Sequence, residues 1–129
     1  MSHQKQILIV DDEESILRML VDMAEILGFD AVGVTGVNQA LVELDASSFD
    51  LVISDVVMPG RSGVDLLREL QRTRPELPVV MIAAFETLKA TARLTEAGAA
   101  GFLAKPFQLK EVETLLSDLL GTPRLLDEG

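Results

Sequence analysis

The chain has no cysteine, no tryptophan and no tyrosine among its 129 residues. Without cysteine there is neither a disulfide framework nor a thiolate metal centre. Aromatic residues make up only 4% of the chain, all of them phenylalanine, which leaves little to stack an isoalloxazine ring and counts against a flavin carrier. No apolar run approaches the roughly 20 residues that cross a bilayer, so no membrane segment is expected. Met1 to Gln6 is too polar to open a signal peptide, which makes the cytoplasm the default compartment. Positive charge is scarce as well: 11 lysines and arginines face 21 acids, a formal net charge of −10. A nucleic-acid reader needs a basic face to displace counterions from phosphates, so no direct nucleic-acid contact is expected.

The remaining composition, 48% hydrophobic and 25% charged, is that of a globular protein with a real core. One domain is expected over residues 1–121, with 122–129 a tail or the start of a linker. Five short apolar runs read as strands: "QILIV" from Gln6, "DAVGV" from Asp30, "DLVIS" from Asp50, "PVVMI" from Pro78 and "GFLA" from Gly101. The first, third and fourth are nearly continuous in Val, Ile and Leu, the pattern of strands covered on both faces. Helical spacing falls between them. Leu17, Leu20, Ala24 and Leu27 recur before Gly28, and Val112, Leu115, Leu116 and Leu119 recur before Gly121. Ala40 to Ala46 and Val64 to Arg72 are shorter segments of the kind, the latter opening on a capping-box pair, Ser62 and Asp65. The Glu86 to Ala97 helix has a thin apolar stripe and should be loosely held. Five strand-helix alternations predict an α/β fold, a doubly wound five-stranded parallel sheet with five helices on its two faces.

Ligands of such sheets sit at the carboxyl ends of the strands. Here the first run ends in Asp11 and Asp12, the third in Asp55, and the fifth leads into Lys105. Each alone has a plain explanation: a helix start, a turn residue, a surface charge. Their convergence at one sheet edge changes the reading. Two carboxylates about 4 Å apart repel by roughly 4 kcal/mol at an effective dielectric of 20, so the cluster must be protonated, paired or metal-bound. A hard cation such as Mg²⁺ suits a few carboxylates with waters and a phosphate. Glu13 is assigned to the helix start and His3 to a disordered end, neither to the site. Met58 and Phe107 are expected to pack.

In order and spacing, "ILIVDDEE", "DLVISDVVMPGRSGVDLL", "PVVMIAA" and "GAAGFLAKPF" resemble the receiver domains of two-component response regulators over nearly the whole chain. The resemblance implies strand order 2-1-3-4-5 and a phosphoacceptor module, not an enzyme. Asp55 would take a phosphoryl group from a phosphohistidine, and Lys105 would pair with that group. Asp11, Asp12, Asp55 and the backbone carbonyl of Val57 would hold Mg²⁺. It also implies a cis peptide before Pro106. The partners implied are a histidine kinase or histidine phosphotransfer domain beside Asp55 near Leu17, Arg18 and Met19, and an output domain outside this chain. A homodimer through the face near Phe102 and Lys110 is common in the family.

One position departs from the family pattern. Ala83 stands where a Thr or Ser usually supplies the switch hydroxyl, and Phe102, without a phenolic oxygen, stands at the aromatic switch position. Thr87 and Thr91 lie too far along the next helix to substitute. An attenuated switch is therefore expected. Val57 and Phe85 put apolar side chains beside the pocket, where a polar one could position a hydrolytic water, so slow autodephosphorylation is expected. The alternative is a degenerate receiver acting as a phosphorylation-independent interaction module. An aspartyl phosphatase is disfavoured because Val57 lies where such enzymes carry a second aspartate.

Overall fold

A computed structural model describes residues 4–121; His3 and the 122–129 tail lie outside the described residues. The order of elements is β1 (Gln6–Val10), α1 (Glu14–Ile26), β2 (Asp30–Val34), α2 (Val37–Ala46), β3 (Leu51–Asp55), α3 (Gly63–Thr73), β4 (Val79–Ala84), α4 (Phe85–Ala90), α5 (Ala92–Thr95), β5 (Gly101–Lys105) and α6 (Leu109–Leu120). All strand pairings are parallel, in the order β2-β1-β3-β4-β5. The expected sheet and strand order are both observed. Among the described residues no helix is long and apolar enough to cross a membrane.

The near-continuous apolar strands are buried on both faces. Leu8, Val10, Val52 and Met81 pack with Ala40 and Leu44 of α2 and Leu66, Leu67 and Leu70 of α3. Ile7, Ile9, Leu51, Ile53, Val80 and Ile82 point the other way, into Leu20 and Ala24 of α1 and Val112 and Leu116 of α6. Period-two alternation along each strand thus feeds two cores with one sheet. Fully burying each such side chain contributes about 1.5–3 kcal/mol. Helix α3 carries the expected cap: the Ser62 hydroxyl accepts from the Asp65 N–H, and the Asp65 carboxylate accepts from the Ser62 N–H. Gly28 and Gly121 follow the ends of α1 and α6 with positive φ, the left-handed backbone glycine tolerates without strain.

Among the described residues, six helical segments replace the five expected. The predicted Glu86 to Ala97 helix is broken at Thr91 into α4 and α5. Two causes are visible. No residue of α4 is fully buried and Leu88 packs only partly against the core, so a continuous helix is weakly held to the sheet. Thr91 and Thr95 turn their hydroxyls back onto the carbonyls of Thr87 and Thr91, a bond that competes with helix geometry and bends it. Next to the break, the Leu94 N–H reaches the carbonyl of Thr91, three residues back, a tighter turn than the α-helix.

Candidate functional site

The register puts the acids side by side. Val10 pairs with Ser54, so Asp11 and Asp55 emerge together one residue later, at the carboxyl ends of adjacent strands. Both are buried, whereas Asp12 is exposed. One carboxylate oxygen from each of Asp11, Asp12 and Asp55 lies within 4.8 Å of the others. Lys105 comes from farther away. Strand β4 separates β5 from β3, a gap of roughly 10 Å at two strand spacings, and the long lysine stem spans it. Its Nζ stands 3.0 Å from Asp55 Oδ2, 3.1 Å from Asp11 Oδ2 and 2.9 Å from Glu13 Oε1. The Lys105–Pro106 peptide that follows is cis, as expected.

Glu13 is the correction to the sequence reading. It does occupy the N-cap of α1, but its side chain makes no capping bond there. It reaches instead across 92 positions of sequence to Lys105, while its backbone N–H donates to Asp11 Oδ1 at 2.9 Å. The only available signal was the acid itself, next to the pair in "DDEE", and a helix start explains an acid equally well.

Charge and burial oppose each other in this pocket. Desolvation raises the Asp11 carboxyl above its usual range, and the neighbouring Asp55 charge adds to the rise. The Glu13 N–H and the Lys105 ammonium pull it back down. For Lys105, desolvation works against the charged form, but the bonds to Glu13, Asp55 and Asp11 outweigh it and hold the ammonium above the ordinary lysine range. Asp11 Oδ2 is buried and, although the ammonium is near, has no hydrogen-bond partner in good geometry. An orphaned buried carboxylate oxygen beside two more carboxylates is a donor set of hard oxygens, which fits Mg²⁺.

The other positions named from sequence lie around this cluster. Ala83 is buried in β4, paired with Ala104, and offers no hydroxyl to the pocket. Phe102 pairs with Met81 on β5 and is exposed. Val57 points its side chain to solvent while its N–H donates to Asp55 Oδ1 at 3.2 Å. Phe85 is exposed, with the Lys89 ammonium 5.6 Å from its ring centre. Met58 and Phe107 pack into the two cores, as expected.

The response regulator receiver domain family matches residues 7–117. Over 119 residues the chain is 37% identical to the DNA-binding transcriptional regulator NtrC of Bradyrhizobium sp. (strain RP501 Parasponia), covering 92% of this chain and 25% of that one. It is 36% identical over 120 residues to the response regulator protein PilR of Pseudomonas aeruginosa, covering 93% of this chain and 27% of the relative. The chain thus spans about a quarter of the length of these relatives. Among solved structures, the receiver domain of NtrX from Brucella abortus superposes with a TM-score of 0.84 at 29% identity, over 90% of this chain and 98% of that one. The response regulator TrrA from Thermotoga maritima, in complex with Mg(2+)-BeF, gives 0.83 at 26%, over 91% and 100%. With fold, acidic edge and family match in agreement, the chain belongs to the receiver domains of two-component response regulators.

Proposed function

We propose that this receiver accepts a phosphoryl group from a phosphohistidine onto Asp55. The observation that carries the reading is the placement of Asp55: a buried carboxylate beside the acid pair, with the Lys105 ammonium 3.0 Å from its Oδ2. In the transfer, an Asp55 carboxylate oxygen forms a bond to phosphorus in line as the P–N bond of the donor breaks and its electron pair returns to the imidazole. Lys105 is held by carboxylates on three sides, so its ammonium is already aimed at the place where the phosphoryl oxygens arrive. Asp11, Asp12 and Asp55 would hold Mg²⁺, with the Val57 carbonyl as a further ligand by family resemblance. Bound there, the ion would offset negative charge on the transferred group. The TrrA structure, a receiver in complex with Mg(2+)-BeF, supports this assignment by likeness.

The donor is a histidine kinase or histidine phosphotransfer domain that docks beside Asp55 along the start of α1, where Arg18 and Met19 are exposed. Output is carried by a domain outside this stretch, as the longer regulators it resembles suggest, and the setting is the cytoplasm. A homodimer could use the face around the exposed Phe102. Because Ala83 has no hydroxyl to draw toward the phosphoryl group, the conformational response is attenuated. That same absence favours the second reading, an interaction module independent of phosphate.

Intact mass after incubation with acetyl phosphate and Mg²⁺ separates the two. One added phosphoryl group, lost in Asp55→Asn, is the expected result. No added mass under conditions where the protein is folded overturns the phosphoacceptor reading in favour of the second.

A further inference from the structure

Lys105 and a divalent cation would draw on the same two carboxylates. The ammonium lies 3.0 Å from Asp55 Oδ2 and 3.1 Å from Asp11 Oδ2, and both carboxylates belong to the acidic triad. A third carboxylate, Glu13, is the closest of the three at 2.9 Å, yet its oxygens are not part of that triad. Glu13 and Asp55 each accept from the ammonium, whereas Asp11 Oδ2 does not, so the bond to Glu13 draws the cationic head toward the pocket rim and away from Asp11. Glu13 is also placed for this task at the expense of its local one. It sits at the N-cap of α1, where a side chain ordinarily accepts from the helix, and makes no such bond. Its backbone N–H holds Asp11 Oδ1 meanwhile, which leaves the partnerless Asp11 Oδ2 on the pocket side with the ammonium nearby.

We infer that Glu13 is a positioning residue that acts through Lys105: it anchors the ammonium at the pocket rim and so leaves Asp11 and Asp55 available to a divalent cation. The inference rests on the Mg²⁺ site proposed above. When the cation takes up Asp11 and Asp55, Glu13 becomes the one carboxylate still bonded to Lys105. The ammonium then stays over the pocket instead of swinging into solvent, ready for a phosphoryl oxygen.

A double-mutant cycle read on Mg²⁺ binding tests this, with affinity measured calorimetrically on the unphosphorylated chain. Glu13→Ala is expected to weaken Mg²⁺ about two- to fivefold, the size of an exposed ion pair. In a Lys105→Met background, with no ammonium to restrain, Glu13→Ala should leave the affinity unchanged. Glu13→Gln, which keeps an oxygen acceptor at the same reach, should recover part of the loss in the Lys105 chain. An equal drop in both backgrounds would mean that Glu13 acts by its charge alone, and the inference falls. No drop in either overturns it as well. If Lys105→Met does not fold, judged by circular dichroism, Lys105→Gln takes its place in the cycle. A parent chain that takes up no Mg²⁺ removes the proposed metal site and the inference together, whereas a parent that binds Mg²⁺ indifferent to Glu13 removes only the inference.

Discussion

Gly63 opens helix α3 directly against the backbone of Asp55. A β-carbon at Gly63 would overlap the Asp55 carbonyl oxygen, and the Gly63 N–H donates to the carbonyl of the next residue, Val56, at 2.9 Å. Helix α3 is thereby fixed to the strand end that carries the Asp55 carboxylate. Gly63→Ala is expected to destabilise the fold by about 2 kcal/mol or more, since backbone and not a flexible side chain must give way. Urea unfolding checks it, and a loss under about 0.5 kcal/mol would show that the contact relaxes freely.

Asp11 bears on stability with a definite sign. Burial and the Asp55 charge raise its carboxyl above the usual value, so between the unfolded and folded values the native state binds more protons than the unfolded one. Stability is then highest at low pH as far as this group is concerned, and is lost as pH rises from the ordinary carboxylate range through the raised folded value. Asp11→Asn removes that dependence. Relative to the parent, the variant should gain in Tm as pH goes from 4 to 7 without divalent ions, whereas a constant difference across that range would contradict the assignment.

The sheet and the acidic edge were legible in the sequence because each has a local signature, whereas the strand order came from the family resemblance. Unbroken aliphatic runs mark strands buried on both faces, and parallel topology sends Asp11, Asp55 and Lys105 to one edge whatever the side-chain details. The break at Thr91 was not legible as such. The thin stripe around Leu88 and Ala92 warned of weak attachment, but whether a threonine hydroxyl turns onto the preceding carbonyl is decided by what the helix fails to bury. Glu13 was misread for a related reason. An acid at a helix N-terminus satisfies the macrodipole by itself, and only three-dimensional proximity to Lys105 reveals its second use. The role of Gly63 depends on a backbone contact between a strand and a helix, which no spacing of side chains encodes.

On the function proposed above, Ala83 sets the strength of the switch. It is buried, at 3% exposure, in the strand beside Asp55, so a residue there faces packed surroundings and any hydroxyl must be accommodated. Ala83→Thr should supply the absent donor to a phosphoryl group. A hydrogen bond to a charged group is worth about 1.5–3 kcal/mol, a shift of roughly 10- to 150-fold toward the active arrangement. Ala83→Val has the same shape without the hydroxyl and should not respond. The readout is the change in backbone amide NMR shifts along α4 and β5 on adding acetyl phosphate and Mg²⁺. Equal responses from the Thr and Val variants would remove the hydroxyl from the explanation.

Val57 and Phe85 bear on how long a phosphoryl group lasts. The two residues are 62% and 59% exposed, at the turn after β3 and the start of α4, and neither side chain has a group that can hold a water for attack on an acyl phosphate. The Val57 backbone N–H is already bonded to Asp55 Oδ1. Slow hydrolysis is therefore the expected outcome. Val57→Asn introduces an amide at that rim and should speed loss of the phosphoryl group by about 10-fold, less than the 10²–10⁴ that a true general base contributes. Intact mass followed over time after removal of acetyl phosphate measures both rates. If the parent loses its phosphoryl group as fast as the variant, water reaches the acyl phosphate without side-chain help and the apolar rim has no part in its lifetime.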